Sequence, residues 1–491
     1  MNRYTKNKII SNLHILNKKN QQIKNAIIDN KSEKIKQLLC ECQNIAINTG
    51  NIIEASSDCQ LAIQNLENYC EEAYLIYTQV CDGNINYDPL PTFMSYIDLA
   101  EECINNIKIK TEVVFCPYKA SMWDSFESIW VAASEDDECD VFVVAIPYYD
   151  RKPDKTVGGF HYEGDKYPKN VHITHYNDYN FSLRHPDLIY IHNPYDGGNY
   201  VTSVDARFYS DELKKYTECL VYVPYFVAGY YADEKRALNN IPLCINNVDV
   251  VVLQSEQQKM ALSFNGMYDT KMAVLGSPKI DKALDDGIVI PENLASKIGD
   301  KKVLLLNTSI SKVLRDENWA DEMQNIFDAF EKDDSFFAIW RPHPLLAATI
   351  NAMRPDQKQK TEDFMCKVQK MNNVFIDTYD DAYVSMKVSD CMISDYSSLI
   401  MQYTATGKPT LVLDGSASYR KTKIVCCDYF SNYFVNDGET YESFFKMIKS
   451  GCDYKKTERM RYFKESVVNA DGSCGRKVHD YIKRIIRNKY I

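Results

Sequence analysis

Hydroxyl and carboxylate side chains follow the apolar run 391–393 at the point where a predicted strand ends. The next five residues read Ser-Asp-Tyr-Ser-Ser and contain Asp395, Ser397 and Ser398, and a helix is predicted to begin at once. Such a helix start favours an anion through its unpaired backbone N–H groups and its dipole. The segment therefore predicts a site for a phosphate of a nucleotide donor, although one of the two serines could instead be an ordinary N-cap.

A second candidate group, Arg341-Pro342-His343-Pro344, follows the predicted strand FFAIW. The planar guanidinium of Arg341 suits phosphate oxygens. His343, held between two prolines, could donate a hydrogen bond to a diphosphate or protonate a leaving group. The alternative is a histidine that only caps a loop.

Two further segments carry weaker signals for phosphate binding. Gly-Ser-Pro-Lys at 276–279 supplies Ser277 and Lys279, and Asp-Gly-Ser at 471–473 supplies Ser473 ahead of Arg476. Both segments also fit ordinary turn chemistry or a plain helix cap. They predict phosphate contacts only in combination with the two stronger groups.

The first half of the chain offers candidates for the acceptor side of a reaction. Tyr118 and Lys119 lie between a predicted strand and a helix, and His192 and Asp196 follow the predicted strand DLIYI. His192 could act as general base for an acceptor hydroxyl, with Asp196 as alternative or orienting partner. Five of the eight histidines fall within 161–192, but their spacing matches no compact ligand motif, so no metal is predicted.

The elements that would position these residues fall into three parts. Residues 1–107 repeat apolar residues at helical spacing, which predicts a bundle or coiled-coil-like arm for packing or oligomerisation. Residues 108–285 and 286–491 each alternate short apolar strands with helices, which is typical of a parallel sheet covered on both faces. We therefore predict an α/β protein with two Rossmann-like domains facing a cleft, where ligands bind at the carboxyl ends of strands.

The C-terminal segment 476–491, assigned to the second domain, predicts an amphipathic helix. Its apolar face could pack on the domain or lie on an anionic membrane. The polar N-terminus resembles no signal peptide, and no window is long and apolar enough to span a bilayer. Sixteen scattered cysteines without a C-x-x-C pair predict reduced thiols in a cytosolic protein.

The bulk charge and the motif search narrow the function classes. A net charge of −11 argues against an obligate nucleic-acid binder. The sequence contains no Walker A loop, no G-x-S-x-G elbow and no G-x-G-x-x-G fingerprint. The absence of these motifs argues against an ATPase, a hydrolase or a dehydrogenase.

Taken in order, the motifs at 276–279, 341–344, 394–398, 407–409 and 471–473 resemble the CDP-glycerol glycerophosphotransferase family of teichoic-acid and capsule polymerases. The resemblance covers roughly residues 245–480. It implies a GT-B-like fold, a donor-binding second domain with His343, Ser397 and Ser398 near the diphosphate, and peripheral attachment at the inner membrane face. The family's Trp-His-Gly element is absent, and His192 or Asp196 is the nearest counterpart of its proposed base.

The resemblance implies transfer of glycerol phosphate, or a similar polyol phosphate, from a CDP-linked donor to an acceptor hydroxyl, with release of CMP. The acceptor would be a polymer or a lipid-linked molecule, no cofactor beyond the donor is expected, and the helical region could form a homodimer. Two alternatives stay open. One is a GT-B glycosyltransferase that uses a nucleotide sugar, and the other is a non-catalytic binding or assembly protein that retains the donor pocket.

Overall fold

The computed structural model describes the chain except for residues 57–58, 84–87, 153, 155, 200, 229–241, 264–265, 332, 344–345, 380, 396, 414–430, 436–438 and 490–491. Pro344 and Tyr396, which belong to two of the motifs, therefore lie outside the described residues. Over the described parts of the chain, no helix is both long and apolar enough to cross a membrane.

The N-terminal region is a bundle of long helices. They are α1 (Arg3–Ile28), α2 (Ser32–Ser56), α3 (Gln60–Cys81) and α4 (Leu90–Asn105). Each helix packs on the next, and α4 returns to α1, so that the apolar residues at helical spacing meet in one core. The bundle is attached to the next domain at its start, where the Asn2 amide donates to the carbonyls of Arg184 (3.1 Å) and His185 (2.9 Å).

The first α/β domain is built on a parallel sheet. Its strands and those of a small antiparallel sheet are β1 (Thr111–Cys116), β2 (Cys139–Ala145), β3 (Tyr148–Arg151), β4 (Val157–His161), β5 (Ile173–His175), β6 (Leu188–Ile191), β7 (Thr202–Val204), β8 (Cys219–Tyr222), β9 (Val250–Leu253) and β10 (Met272–Val274). The parallel order is β10-β9-β8-β6-β1-β2-β5, and the antiparallel order is β4-β3-β7. The helices are α5 (Glu127–Ser134), α6 (Phe181–Arg184), α7 (Ser210–Lys214) and α8 (Glu256–Leu262).

The second α/β domain follows the connecting helices α9 (Pro278–Ala283) and α10 (Glu292–Ile298). Its parallel sheet has the order β13-β12-β11-β14-β15-β16. The strands are β11 (Lys302–Thr308), β12 (Phe336–Pro342), β13 (Val374–Ile376), β14 (Cys391–Ser394), β15 (Thr410–Val412) and β16 (Tyr433–Phe434). The helices are α11 (Ile310–Arg315), α12 (Trp319–Glu331), α13 (Leu346–Met353), α14 (Lys358–Val368), α15 (Tyr383–Val388), α16 (Leu399–Thr404), α17 (Tyr441–Ser450), α18 (Lys456–Ser466) and α19 (Cys474–Lys489).

The predicted architecture, two Rossmann-like parallel sheets behind a helical N-terminal region, is confirmed. Strand β6 has four buried residues and β14 also has four, as expected for parallel strands covered on both faces. The carboxyl ends of β12, β11 and β14 lie side by side, because Asn307 pairs with Arg341 on one side and Ser394 on the other. The two strongest candidate segments for phosphate binding, 341–344 and 394–398, begin at the ends of β12 and β14 on this edge.

The C-terminal helix α19 differs from the prediction, because it packs on the first domain and not on the second. Val478, Ile482 and Ile486 are buried in the core beneath the first sheet. At Gly475 a Cβ atom would come within 2.3 Å of the Ser128 carbonyl carbon, so the helix lies directly on α5. The apolar stripe of α19 is thus used in packing and is covered, which removes the face that a membrane would need.

Candidate functional site

A cavity of about 1250 Å³ lies between the two α/β domains. The first domain lines it with residues from 120–127 and 163–169, namely Ala120, Ser121, Trp123, Asp124, Glu127, Glu163, Lys166, Tyr167, Pro168 and Lys169. The second domain lines it mainly from the ends of β12 and β13 and from α13 and α14. Arg341 and His343 are among these residues, together with Asp377, Thr378, Tyr379 and Asp381. The cavity therefore lies at the carboxyl ends of two strands, where open α/β sheets bind ligands.

Arg341 holds the loop after β13 in place. Its Nη1 donates to Asp377 Oδ2 (2.8 Å) and to the carbonyls of Tyr379 (3.1 Å) and Asp381 (2.7 Å). Asp377 also accepts a hydrogen bond from the Ser385 hydroxyl (2.6 Å). Because Nη1 has only two hydrogens, these three acceptors use its whole capacity. The observed role of this nitrogen is to shape the cavity wall, whereas phosphate contact by Arg341 stays a prediction.

His343 lies half-buried in the cavity wall, and its carbonyl accepts the Leu346 N–H (2.8 Å) at the start of α13. Burial lowers the pKa of the imidazole, and the nearby Arg341 cation lowers it further. The neutral ring is therefore favoured at pH 7. A neutral imidazole can donate its N–H to a phosphate oxygen, which fits the first of its two predicted roles better than protonation of a leaving group.

Asp395 forms its hydrogen bonds inside the second domain. It is 1% exposed, its Oδ1 accepts the Ser309 N–H (2.9 Å), and its Oδ2 accepts the Ser309 hydroxyl. The carboxylate thereby fixes the turn between β11 and α11 beside the end of β14. Both carboxylate oxygens accept hydrogen bonds from one serine, so the side chain supports the sheet edge. Because its oxygens are engaged in this way, its placement does not favour direct phosphate binding.

Ser397 and Ser398 stand before the six-residue helix α16 and do not line the cavity. The Ser397 hydroxyl accepts the Leu399 N–H (3.2 Å). Ser398 is the N-cap residue, is exposed, and makes no side-chain cap hydrogen bond. Strand β11 separates their strand β14 from β12, which ends just before His343. The structure thus places these serines at the same sheet edge as His343 but away from the cavity.

Lys279 joins the connecting helix α9 to the first domain. Its ammonium is nearly buried and lies 2.5 Å from Asp124 Oδ2, which also accepts the hydroxyl of Tyr383 from the second domain. The charge predicted to reach a phosphate is therefore paired with a carboxylate. Ser277 precedes this helix, is 5% exposed, and its hydroxyl has no hydrogen-bond partner in the described structure.

Turn residues of the two weaker motifs meet at the C-terminal helix. Gly276 has a φ of +104°, and a Cβ there would lie 2.4 Å from the Val468 carbonyl oxygen, so only glycine fits. Asp281 accepts the backbone N–H groups of Cys474 (3.1 Å) and Gly475 (2.7 Å). Asp281 therefore caps the start of α19. The close contact at Gly276 likewise gives this turn a structural cause.

Ser473 and Arg476 lie at this helix start, outside the cavity lining. The Ser473 N–H donates to Asp471 Oδ1 (3.1 Å), and the Arg476 guanidinium pairs with Glu135 at the end of α5. Both residues thus contribute to the contact between α19 and the first domain. The structure does not bring them together with His343.

His192 is completely buried below the first sheet's edge. The Tyr118 N–H donates to its Nε2 (3.2 Å), and its Nδ1 lies 3.2 Å from the Ser125 hydroxyl oxygen. Burial lowers the pKa of His192 to about 3, and the charge of Lys279 acts in the same direction. With both nitrogens engaged and no exposed surface, the ring cannot reach an acceptor hydroxyl, so this placement argues against a general base.

Asp196, the alternative base, is also engaged on both oxygens. Its Oδ1 accepts the Ser210 N–H (2.8 Å) and its Oδ2 accepts the Ser210 hydroxyl (2.6 Å). Burial raises the pKa of this carboxyl. Asp196 adopts a positive φ of 47° and holds the start of α7, which is a local structural task.

Tyr118 and Lys119 lie close to the cavity but do not line it. Tyr118 is buried, packs edge-on against His192, and its pKa is raised by burial to about 12. The Lys119 ammonium lies 5.0 Å from the centre of the Tyr148 ring, a cation–π contact. Neither side chain is thus placed for direct contact with a ligand in the cavity.

One cluster in the described part of the chain has metal-ligand spacing, formed by Asp136, Cys139 and His479 at the contact between α19 and the first domain. The Lys483 ammonium donates to the same Asp136 carboxylate. A positive charge already lies where a metal ion would bind, so the cluster acts as an ion pair that holds α19.

Sequence reasoning missed the first-domain wall of the cavity. Trp123, Asp124 and Tyr167 line it, and Asp124 follows β1 by eight residues. The rule that polar residues after parallel strands face the ligand edge would have selected this segment too. The helical apolar spacing of SMWDSFESIW predicts a helix here, and the structure has a 3-10 helix over Ala120–Ser125 followed by α5.

Comparisons with known proteins give the family. Residues 231–484, more than half of the chain, match the sequence model described as CDP-glycerol:poly(glycerophosphate) glycerophosphotransferase. No curated protein matches the chain.

Three similar solved structures are a UDP complex of MnaA, a putative UDP-N-acetylglucosamine 2-epimerase and the polymerase TagF. S. aureus MnaA shows 15% identity over 77% of this chain and 97% of its own, with a TM-score of 0.45. The H548A variant of the wall teichoic acid polymerase TagF shows 13% identity over 86% and 99%, with a TM-score of 0.49. The epimerase, from Listeria monocytogenes, shows 14% identity over 77% and 97%, with a TM-score of 0.48. On the match over residues 231–484, this chain belongs to the CDP-glycerol:poly(glycerophosphate) glycerophosphotransferase family.

Proposed function

We propose that this family member transfers glycerol phosphate from CDP-glycerol to an acceptor hydroxyl in the synthesis of a teichoic-acid-like or capsular polymer, and that the interdomain cavity holds both substrates. The observation that carries the proposal is the position of His343 in that cavity, within the family-matched part of the chain. A volume of about 1250 Å³ exceeds the roughly 300–1,000 Å³ of usual ligand pockets, so donor and acceptor have room together.

In the proposed reaction the acceptor oxygen attacks the phosphorus that bears glycerol, and CMP leaves. Phosphoryl transfer needs positioning and stabilisation of negative oxygens more than covalent chemistry. The neutral His343 ring would donate an N–H to a diphosphate oxygen. Arg341 would support it indirectly, by holding the loop after β13 through Asp377.

The test is CMP release from CDP-glycerol and from CDP-ribitol, with lipid-linked glycerol phosphate as acceptor. His343→Ala should lose turnover by about 10²-fold or more, since removal of one preorganised donor at a transition state has that effect. His343→Gln, which keeps an N–H donor, should retain more activity than His343→Ala. Urea unfolding of both variants checks that the fold is intact.

Other outcomes would redirect the assignment. Full activity in His343→Ala would remove this residue from the reaction. Turnover of a nucleotide sugar without CMP release from either CDP-polyol would identify a glycosyltransferase. Binding of CDP without any turnover would identify a binding or assembly protein. Peripheral attachment to the inner membrane face and a homodimer through the helical region stay predictions, to be checked by vesicle flotation and by light scattering.

A further inference from the structure

The first-domain wall of the cavity contains three buried polar atoms that have no hydrogen-bond partner in the described structure. They are the indole Nε1 of Trp123, the hydroxyl of Tyr167 and the Oδ1 of Asp124. Trp123 is 4% exposed and Tyr167 is 7% exposed. All three side chains line the cavity. Buried polar groups are nearly always paired in native proteins, so unpaired ones in side chains that line a cavity are candidates for contact with a ligand or an ordered water.

The other oxygen of Asp124 is firmly held. Its Oδ2 lies 2.5 Å from the Lys279 ammonium and accepts the Tyr383 hydroxyl. These contacts fix the carboxylate between the connecting helix and the second domain. The Trp123 and Tyr167 rings lock each other edge-to-face, with centroids 5.8 Å apart. The three unpaired atoms therefore belong to side chains with little freedom to find partners by rotation.

We propose that Trp123, Tyr167 and Asp124 form the subsite for the acceptor, and that Asp124 is the general base of the transfer. The inference rests on the proposed function. The indole N–H and the phenol hydroxyl donate to the acceptor's oxygens, and Asp124 Oδ1 accepts a hydrogen bond from the attacking hydroxyl. A carboxylate that is held through one oxygen and has no donor on the other has the arrangement that general-base catalysis needs.

The chemical step balances with these groups alone. The acceptor O–H bond breaks and its proton passes to Asp124 Oδ1, while the oxygen forms a bond to the phosphorus that bears glycerol. The bond from that phosphorus to the bridging oxygen breaks, and CMP leaves with the electron pair. Asp124 then releases its proton to solvent. The products are CMP, a phosphodiester and one proton.

Other carboxylates and the buried histidine are less suited to this role. Both oxygens of Glu163, in the same wall, are occupied by the Ala120 N–H (2.9 Å) and the Tyr148 hydroxyl (2.8 Å). Asp196 has both oxygens on Ser210, and His192 has both nitrogens engaged. Among these groups, only Asp124 has an oxygen that accepts no hydrogen bond in the described structure.

The first test compares Asp124→Asn with Tyr383→Phe. Asp124→Asn should lower kcat by about 10²- to 10⁴-fold, the usual contribution of a general base, with unchanged calorimetric binding of CDP-glycerol. Tyr383→Phe weakens the same interdomain contact but keeps the carboxylate, and should lose less than about tenfold. Equal losses in the two variants would mean that Asp124 only joins the domains, which would overturn the proposal.

The second test is Tyr167→Phe, which removes only the unpaired hydroxyl. Its melting temperature should equal or exceed that of the parent protein, because no internal hydrogen bond is lost. Its KM for lipid-linked glycerol phosphate should rise about 2- to 10-fold, as for one uncharged hydrogen bond, with unchanged CDP-glycerol binding. An unchanged acceptor KM, or a lower melting temperature, would remove Tyr167 from the subsite.

The two proposals fail in different ways. If the parent protein releases no CMP from CDP-glycerol, the proposed function is wrong and this inference falls with it. If the parent protein turns over and Asp124→Asn retains its kcat, only the inference is wrong. In that case the reaction stands and its base lies elsewhere.

Discussion

His192 should make the folded protein sensitive to acid, because the structure holds its ring in the neutral form. The ring is buried and stacks on Phe126 with centroids 4.8 Å apart. Its Nε2 accepts the Tyr118 N–H, and the Ser125 hydroxyl beside Nδ1 donates to the Met122 carbonyl (2.7 Å). Nδ1 must therefore carry the hydrogen, and a second proton on Nε2 would face the Tyr118 N–H.

The size of the effect follows from the pKa shift. Burial lowers the pKa of His192 from the ordinary 6.5 to about 3. Below pH 6.5 the unfolded chain takes up a proton at this ring, whereas the folded protein does so only near pH 3. Stability from this group is thus complete above pH 6.5 and is lost as pH falls towards 3. The free energy of unfolding should decrease by about 2 kcal/mol between pH 7 and pH 5, and by about 4–5 kcal/mol at pH 3.

Urea unfolding at pH 7 and pH 5 measures this loss. His192→Asn, which keeps a donor on the Ser125 side, should be less stable at pH 7 but should lose about 2 kcal/mol less than the parent protein on going to pH 5. The same pH dependence in His192→Asn and the parent would refute the reasoning. CMP release by folded His192→Asn should persist, since the ring is out of reach of an acceptor.

Two further predictions concern the attachment of α19. Asp281→Ala leaves the N–H groups of Cys474 and Gly475 without their acceptor and should lower the free energy of unfolding by about 2–4 kcal/mol, whereas Asp281→Asn keeps an acceptor and should lose less. Gly475→Ala places a Cβ 2.3 Å from the Ser128 carbonyl carbon and should cost about 1–3 kcal/mol or more in urea unfolding. Gly50→Ala, in a helix with nothing within 4 Å of the added Cβ, is the control and should stabilise by about 0.5–1 kcal/mol. An equal effect of the two glycine variants would contradict the close packing of α19 on α5.

Local sequence patterns were sufficient for the architecture. Parallel strands covered on both faces form short continuous apolar runs, and the runs LIYI and CMIS predict β6 and β14 for that reason. The helical bundle was likewise visible in its 3.6-residue period. His343 was located in the cavity wall by the rule that strand ends face the ligand, because this rule depends only on the order of strand and loop.

The sequence could not tell which polar residues bind a ligand and which support the fold. Lys279 is paired with Asp124, 155 residues away, and Asp281 caps a helix start 194 residues away at Gly475. Composition and spacing show that a residue is polar. The role of a buried polar group, however, depends on the partner with which it forms a hydrogen bond or ion pair. Only the tertiary structure brings such distant partners together. It alone decided that His192 is a buried support, that α19 packs on the first domain, and that Asp124 Oδ1 has no hydrogen-bond partner in the described residues.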